Sequence, residues 1–511
     1  MRTNTPKWGT LVLACLAMLV LAIDLTVLHL AVPALIADLG PSATQVLWIA
    51  DVYGFALAGL LVTMGNVGDR WGRKRLLLVG AAAFGVASVA TAYAPTPELL
   101  IAARALLGVA GATIMPSTLS IIRNVFTDPR ERTAAVGLWS GVGAAGFAVG
   151  PVVAGVLLDH FWWGSVFLVN VPVVAVVVGL GAVVLPESRN PRPGRVDPLS
   201  VVLSVVGVVA VVYAIKEAAH SGAGRVDVLA AAVVGVVVLV VFARRQTGLD
   251  EPLIDVRLFK ARAFSASVGA TLVAMFASLS LSLILAQYLQ QVLGWTPLQA
   301  GLGSLPGGVF GAVGGVLAGA LVQRWGRAAV VACGLGLTAA GFALFAATLA
   351  VDASFWSMLP AMVVYGTGVG FAFAVTNDTV LASVPRERAG AAASISETAT
   401  EIGGALGIAV LGSVLGAVYR GDVVLPAGVD AAAGDSLGAT LHAAASLPAE
   451  VAGPLVVAAR QAYVDGAVTG LWVCAGLLVV LAAFAGRALR SVPKVIDDTA
   501  FDTADTGPAR S

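Results

Sequence analysis

Five carboxylates and one arginine sit inside stretches that are otherwise apolar: Asp24, Asp51, Asp378, Glu397 and Glu401, with Arg104. A charge at mid-membrane costs at least about 2.5–3.5 kcal/mol on insertion scales, so such a group faces a partner or a polar path and is a candidate for function. A carboxyl taken out of water favours its neutral form, and a like charge beside it favours that form further. It can then hold a proton near neutral pH and release it when a cation arrives. One site does not comfortably hold both positive charges, so proton and cation alternate. Glu397 and Glu401 are four residues apart and share a face if their segment is helical. The chemistry expected of this set is exchange of a proton for a cation.

The elements that carry these residues follow from composition. The chain has 511 residues, 59% of them hydrophobic and 12% charged. A soluble domain is about 45–50% apolar and about 25% charged, so lipid must be the solvent here. A bilayer-crossing helix needs about 20 apolar residues. Fourteen such runs are readable, near 10–33, 46–66, 76–94, 98–121, 133–158, 163–185, 197–216, 226–244, 266–290, 298–321, 328–349, 355–382, 389–418 and 464–486. The 59 glycines suit close helix contact in lipid and argue against alternating β-barrel strands. The basic N-terminus runs into the first apolar segment with no small-residue cleavage site, which reads as an uncleaved span. With that end in the cytoplasm, Lys and Arg gather on the cytoplasmic side, leaving Lys216, Arg225, Arg420 and Arg460 outside and Arg104 within the membrane. The positive-inside rule then places both termini in the cytoplasm. Cys15, Cys333 and Cys474 lie far apart in apolar runs, fit no metal or disulfide spacing, and read as core residues.

The runs group as six, two and six. The expected organisation is a six-helix transport domain at 8–186, a two-helix insertion with its connectors at 187–263, a second six-helix domain at 264–490 with an outside loop at 419–463, and a cytoplasmic tail at 491–511. The outside loop is rich in Ala and Gly and is expected to be mobile or partly helical. Loops of the same chemistry recur in the two outer groups. GNVGDRWGRKR follows span 2 and GALVQRWGR follows span 10, while FTDPRERTAAVGLWS precedes span 5 and VPRERAGAAASIS opens span 13. Such recurrence marks a duplicated transporter. The second copy, RWGR, carries no aspartate of its own.

The spacing GxxxDRxGR[KR]R at 65–75 resembles the signature loop of the major facilitator superfamily. That resemblance implies a conformational latch built from Gly65, Asp69, Arg70, Gly72 and Arg73. LLIAARALLGVAGATIMPSTLS resembles the family's span-4 motif, whose arginine, here Arg104, is tied to proton transfer. WSGVGAAGFAVGPVVAGVL resembles the span-5 motif of its antiporters and contributes Gly146, Gly150, Pro151 and Gly155. IDLTVLHLAVPAL, WIADVYGFALAG and WWGSVFLVNVP are similar to stretches of the fourteen-span drug:proton antiporters, and within them to quaternary-ammonium and dye exporters of the QacA type. The likeness extends over nearly the whole chain. It implies an all-α polytopic membrane protein with the major facilitator fold and 14 transmembrane helices in a 6+2+6 arrangement.

By the same resemblance Asp24, Asp51 and Glu397 align with acids for protonation and substrate recognition, and Glu401 falls at an acidic position. Asp378 reads either as a further member of this set or as a helix-packing polar group. LPGGVFGAVGG, at 305–315, lacks the acid that related exporters carry in span 10, which favours monovalent cations. Aromatic faces attract cations, and the cavity candidates are Trp48, Tyr53, Trp139, Phe147, Tyr288 and Tyr365. There is no GxxxxGK[ST] loop, HExxH or GxSxG, so an ion gradient and not ATP supplies the energy. No enzyme activity, cofactor or metal is expected, and no nucleic-acid partner. The expected protein is a monomer of the bacterial plasma membrane that exports lipophilic organic cations in exchange for protons. The alternative is proton-coupled export of a specific antibiotic or of a neutral or anionic metabolite.

Overall fold

The computed structural model describes residues 7–41, 43–189, 197–221, 224–249, 252–254, 256–384, 389–426, 429–490 and 492–493. Arg386, Arg388, much of the first connector and nearly all of the tail lie outside the described residues. The first part of the chain forms α1 (Lys7–Leu39), α2 (Ala43–Trp71), α3 (Arg73–Ala92), α4 (Pro97–Val125), α5 (Pro129–His160), the single turn α6 (Ser165–Leu168) and α7 (Asn170–Val184). Then come α8 (Pro198–Ser221) and α9 (Val226–Thr247). The second part forms α10 (Arg262–Gln287), α11 (Pro297–Trp325), α12 (Arg327–Thr348), α13 (Phe355–Ala382), α14 (Ala389–Asp422), α15 (Leu437–Ala444) and α16 (Ala449–Ala488). Among the described residues there is no strand, and thirteen helical segments are long and apolar enough to cross a membrane. The apolar run at 133–158 falls on α5, a helix of 32 residues.

Local chemistry sets the helix starts. Thr96 caps α4 by accepting from the Leu99 amide, with Pro97 in the first turn, where its missing N–H costs nothing. Asp128 caps α5 by accepting from the amides of Arg130 and Glu131, again before a proline. Thr296 and Gln299 close a capping box over α11. Two tight turns, α2–α3 and α11–α12, pass through Gly72 (φ 118°) and Gly326 (φ 86°), conformations that other residues adopt only at a cost.

Helices α1–α7 pack around one another, as do α10–α16, giving two halves that meet along two seams. On one seam α5 lies against α11, and on the other α2 lies against α14. Glycines bring the first pair to backbone contact. A Cβ on Gly137 would overlap the Gly315 backbone, and one on Gly141 would overlap Ala312. The α8–α9 hairpin covers the α2–α14 seam. Val208 and Val212 of α8 pack with Phe55 and Ala58 of α2 and with Ile402 of α14. Asn66 of α2 donates to the Leu253 carbonyl (2.6 Å), while Gln246 of α9 accepts from the Leu253 amide (2.7 Å) and donates to Ser200 of α8 (2.7 Å).

The partly helical alternative expected for 419–463 holds, and the expectation for one cysteine changes. Within 419–463, α14 runs on to Asp422, α15 forms, and α16 already starts at Ala449. The segment is anchored by Tyr419, whose hydroxyl lies 2.6 Å from that of Thr440. Its alanines carry strong helix propensity. Of the cysteines, Cys15 and Cys474 are buried, but Cys333 is partly exposed on α12.

Candidate transport site

Asp24, on α1, is wholly buried. Its Oδ2 accepts from Arg104 Nη1 of α4 (2.9 Å), and its Oδ1 accepts from Asn170 Nδ2 of α7 (3.0 Å). Asn170 also donates to Ser88 Oγ of α3 (3.2 Å). Arg104 Nε donates to the Ile49 carbonyl of α2 (3.2 Å), and its guanidinium carbon lies 4.9 Å from the Tyr53 ring centroid and 5.8 Å from that of Phe167. The arginine thus has the carboxylate, carbonyl and aromatic partners that an intramembrane charge requires. Gly108 and Gly111 set its depth. A Cβ on Gly108 would strike the Tyr53 carbonyl, and one on Gly111 would lie 3.2 Å from the Tyr53 hydroxyl.

Glu397 lies across the α2–α14 seam, on α14, and is buried to 1% exposure. Its Oε1 has no hydrogen-bond partner among the described residues. Glu401 is one turn further along the same helix and partly buried. Asp51 lies on α2, two residues before Tyr53, and is also partly buried. The fold therefore gathers Asp24, Arg104 and Tyr53 in the first half, leaves Asp51 two residues before Tyr53 on α2, and sets Glu397 and Glu401 on a helix that packs against α2 and α4.

The aromatic candidates separate. Tyr53 is buried beside Arg104. Trp48 is 46% exposed near the start of α2, and its ring stacks edge-on with Phe55. Trp139 is packed among Leu11, Ala14, Leu119, Ile122 and Phe126. Tyr288 is packed in the core of the second half, with its hydroxyl donating to the Ala350 carbonyl (2.6 Å). Tyr365 donates to Ser278 Oγ (3.1 Å) and packs against Phe342 and Phe345. The side chain of Phe147 lies outside the described residues, as does that of Pro151. Of the glycines on α5, Gly146 packs on Ala22 and Gly150 on Thr26, both of α1, whereas Gly155 makes only ordinary contact near Leu298.

At the basic end of the bundle Asp69 lies in the last turn of α2. It accepts from Arg73 Nε (2.9 Å) and Nη2 (2.7 Å) and from two amides that open α14, those of Gly390 (3.0 Å) and Ala391 (3.1 Å). A carboxylate at a helix N-terminus satisfies free N–H groups and opposes the positive end of the dipole. Gly65 is required for this approach, because its Cβ would overlap the Gly390 carbonyl. Arg70 is exposed. The second RWGR turn finds its acid elsewhere. Arg327 Nη2 lies 2.8 Å from Asp378 Oδ2 on α13, and its Nη1 donates to Thr379. Asp378 also accepts from Arg132 Nε (2.5 Å) and Thr133 Oγ1 (2.9 Å) of α5, and Arg123 of α4 donates to the Val384 carbonyl (2.6 Å). Asp378 is therefore held in a buried cluster that ties the two halves at the basic end.

Asn170, Arg132 and Arg327 were not singled out as site residues from sequence. Asn170 stands in the WWGSVFLVNVP stretch, and both arginines stand in the repeated basic loops.

A model of the Major Facilitator Superfamily matches residues 14–408. The chain is 44% identical over 496 residues to the multidrug efflux pump LfrA of Mycolicibacterium smegmatis, covering 96% of this chain and 97% of that protein. It is 37% identical over 480 residues to the methyl viologen resistance protein SmvA of Salmonella typhimurium, covering 93% and 97%. In structure it resembles the human organic anion transporter MFSD10 (TETRAN), with a TM-score of 0.58 at 13% identity, over 93% of this chain and 99% of that one. Apolar helices, two seamed halves and these relatives describe a multi-pass membrane transporter and not an enzyme. The chain belongs to the Major Facilitator Superfamily.

Proposed function

We propose that this protein is a drug exporter, driven by the proton-motive force, that exchanges protons for lipophilic organic cations such as quaternary ammonium compounds and ethidium. One observation carries the reading. Wholly buried Asp24, paired with Arg104 in one half, is matched by buried Glu397 on the facing helix of the other. Carboxylates so placed alternate between proton and cation as the halves rock. The cavity facing the cytoplasm takes up drug and releases protons, and protons re-enter from the outside as drug leaves. The ties at the basic end hold the cytoplasmic side shut while the outside is served. In this reading the chain crosses the bacterial plasma membrane fourteen times as a monomer. Residues 8–186 and 264–490 form the transport domains, 187–263 the insertion, and both termini are cytoplasmic.

The test is ethidium efflux from energised cells, with Asp24→Asn and Glu397→Gln expressed to wild-type level beside the parent. Efflux that collapses with an uncoupler and is lost in either variant is expected. Full efflux in both variants would remove these acids from the mechanism. A second reading, export of a specific antibiotic or of a neutral or anionic metabolite, draws on the engagement of both Asp24 oxygens by Arg104 and Asn170. It predicts proton-coupled transport with no ethidium movement.

A further inference from the structure

The first turns of α3 and α12 are internal counterparts. Trp71-Gly72-Arg73 and Trp325-Gly326-Arg327 share their sequence, and both glycines take positive φ. Each helix packs on the last long helix of its half, α7 or α16. Those two helices end alike, at the C-cap residues Leu185 and Leu489.

The first of these turns holds an anion. Glu187, two residues past Leu185, accepts from the Lys74 amide (3.2 Å) and the Arg75 amide (3.3 Å), and its carboxylate lies 2.7 Å from where a Gly72 Cβ would stand. Free first-turn N–H groups and the helix dipole make such a turn an anion site. In the second copy the position two past Leu489 is Ser491, a neutral residue. Gly326 contributes no side-chain cap. A cavity of about 640 Å³ lies beside this turn, bounded by Trp325, the first turn of α12, and Arg487 and Arg490 of α16. Arg327, 1% exposed, also lines it, and its Nε has no hydrogen-bond partner among the described residues. The floor is small and apolar, with Ala332 meeting Gly486.

We propose that this cavity binds the phosphodiester of an anionic phospholipid, which takes the place that the Glu187 carboxylate takes in the first half. Charge supports an anion: Arg487 and Arg490 are exposed at the mouth and Arg327 lies behind them. The surface leading into it supports a lipid over a free ion. Leu477, Val480 and Phe484 stand exposed at helical spacing along α16 and run directly to Arg487, so acyl chains can follow this stripe while the head group enters the cavity. Basic pockets between membrane helices recognise acidic head groups in this way. The inference needs α12 and α16 to span the membrane, and it is independent of whether the chain exchanges protons.

The test uses full-length protein in neutral detergent with fluorescent phosphatidylglycerol as probe. Phosphatidylcholine and inorganic phosphate serve as competitors. Saturable binding is expected that phosphatidylcholine does not displace and millimolar phosphate displaces poorly. The double variant R487Q/R490Q should weaken it roughly thirtyfold, as two juxtamembrane arginines imply. K260Q, at an exposed lysine just before α10, is the folded control and should bind like wild type. Equal displacement by phosphatidylcholine, or unchanged affinity in the double variant, overturns the proposal. Full competition by inorganic phosphate would make this a soluble-anion site and overturn the lipid. Binding seen only after the acidic tail beyond Lys494 is removed would assign the cavity to that tail instead.

Discussion

Asp378 accepts a hydrogen bond from Arg132 across the boundary between the two halves, Nε to Oδ1 at 2.5 Å, although 246 residues separate them in the chain. Its second oxygen receives Arg327 and Thr133. Removing the charge leaves two buried guanidinium groups short of their counter-ion. Breaking one side of a buried pair costs about 3–5 kcal/mol. Asp378→Asn should therefore lower the thermal midpoint of the purified protein and shift it toward aggregation on size exclusion, while Asp378→Glu should retain part of the stability. An unchanged midpoint for Asp378→Asn would mean that the cluster is not structural.

Asp69 ties α2 to the first turn of α14 through two amides. A charge at a helix N-terminus in a partly buried setting is worth up to about 2 kcal/mol. Asp69→Asn should open the basic end more often, by roughly tenfold in population. In a background with Cys15, Cys333 and Cys474 replaced by serine, Ser394→Cys reports this through labelling by a membrane-impermeant maleimide in inverted vesicles. Labelling as slow as with Asp69 intact would mean that the bond does not hold this end closed.

Glycines on the seam and on the surface should behave oppositely. A Cβ on Gly315 would lie 2.7 Å from the Gly137 carbonyl, backbone against backbone, while one on Gly336 meets nothing within 4 Å. Gly315→Ala should destabilise by about 1–3 kcal/mol through overpacking. Gly336→Ala should be neutral or stabilise by about 0.4–1 kcal/mol, since alanine restricts the unfolded chain and suits a helix. Thermal midpoints of the two variants, measured side by side, decide this.

Asp197 precedes α8, outside the membrane-spanning segment. The hydrogen bond from Arg245, joined by Ser200, holds its carboxyl well below the usual carboxylate range. A carboxyl depressed in the folded protein contributes stability that is full above its unfolded value, near 3.9, and is lost as pH falls through the lower, folded value. The anchoring of α8 to α9 should therefore be flat through neutral and mildly acidic pH and loosen only below about pH 4. Amide exchange at residues 198–204 across that range is the check. Loosening that begins at pH 6 would implicate another group.

Much of this architecture is legible in the sequence because lipid demands long apolar helices and because signature loops carry their own spacing. The membrane helices and the family were readable on those grounds. What was hidden is pairing. Nothing local in GDRWGRKR says that Asp69 caps a helix starting at residue 389, since backbone amides leave no trace in side-chain identity. Arg327 appeared to lack an acid because its acid lies on a different helix. Asn170 reads as one polar residue among valines until α7 packs against α1. An aromatic in an apolar run looks the same whether it lines a cavity or fills a core, so the sequence does not reveal that Tyr288 packs in the core of the second half with its hydroxyl on Ala350. For 419–463 the sequence allows partial helix but does not show where α15 and α16 begin.

Backbone touches backbone where α5 meets α11 at Gly137 and Gly315. No side chain stands between the helices at that point, so in the proposed cycle one half rolls on the other there without a rotamer change. Resistance then falls, in the proposed rocking cycle, to a handful of directional bonds at the basic end from Asp69, Arg123, Arg132 and Asp378, which break and re-form as discrete events. In the proposed cycle the pace is accordingly set by a clasp and not by a hinge.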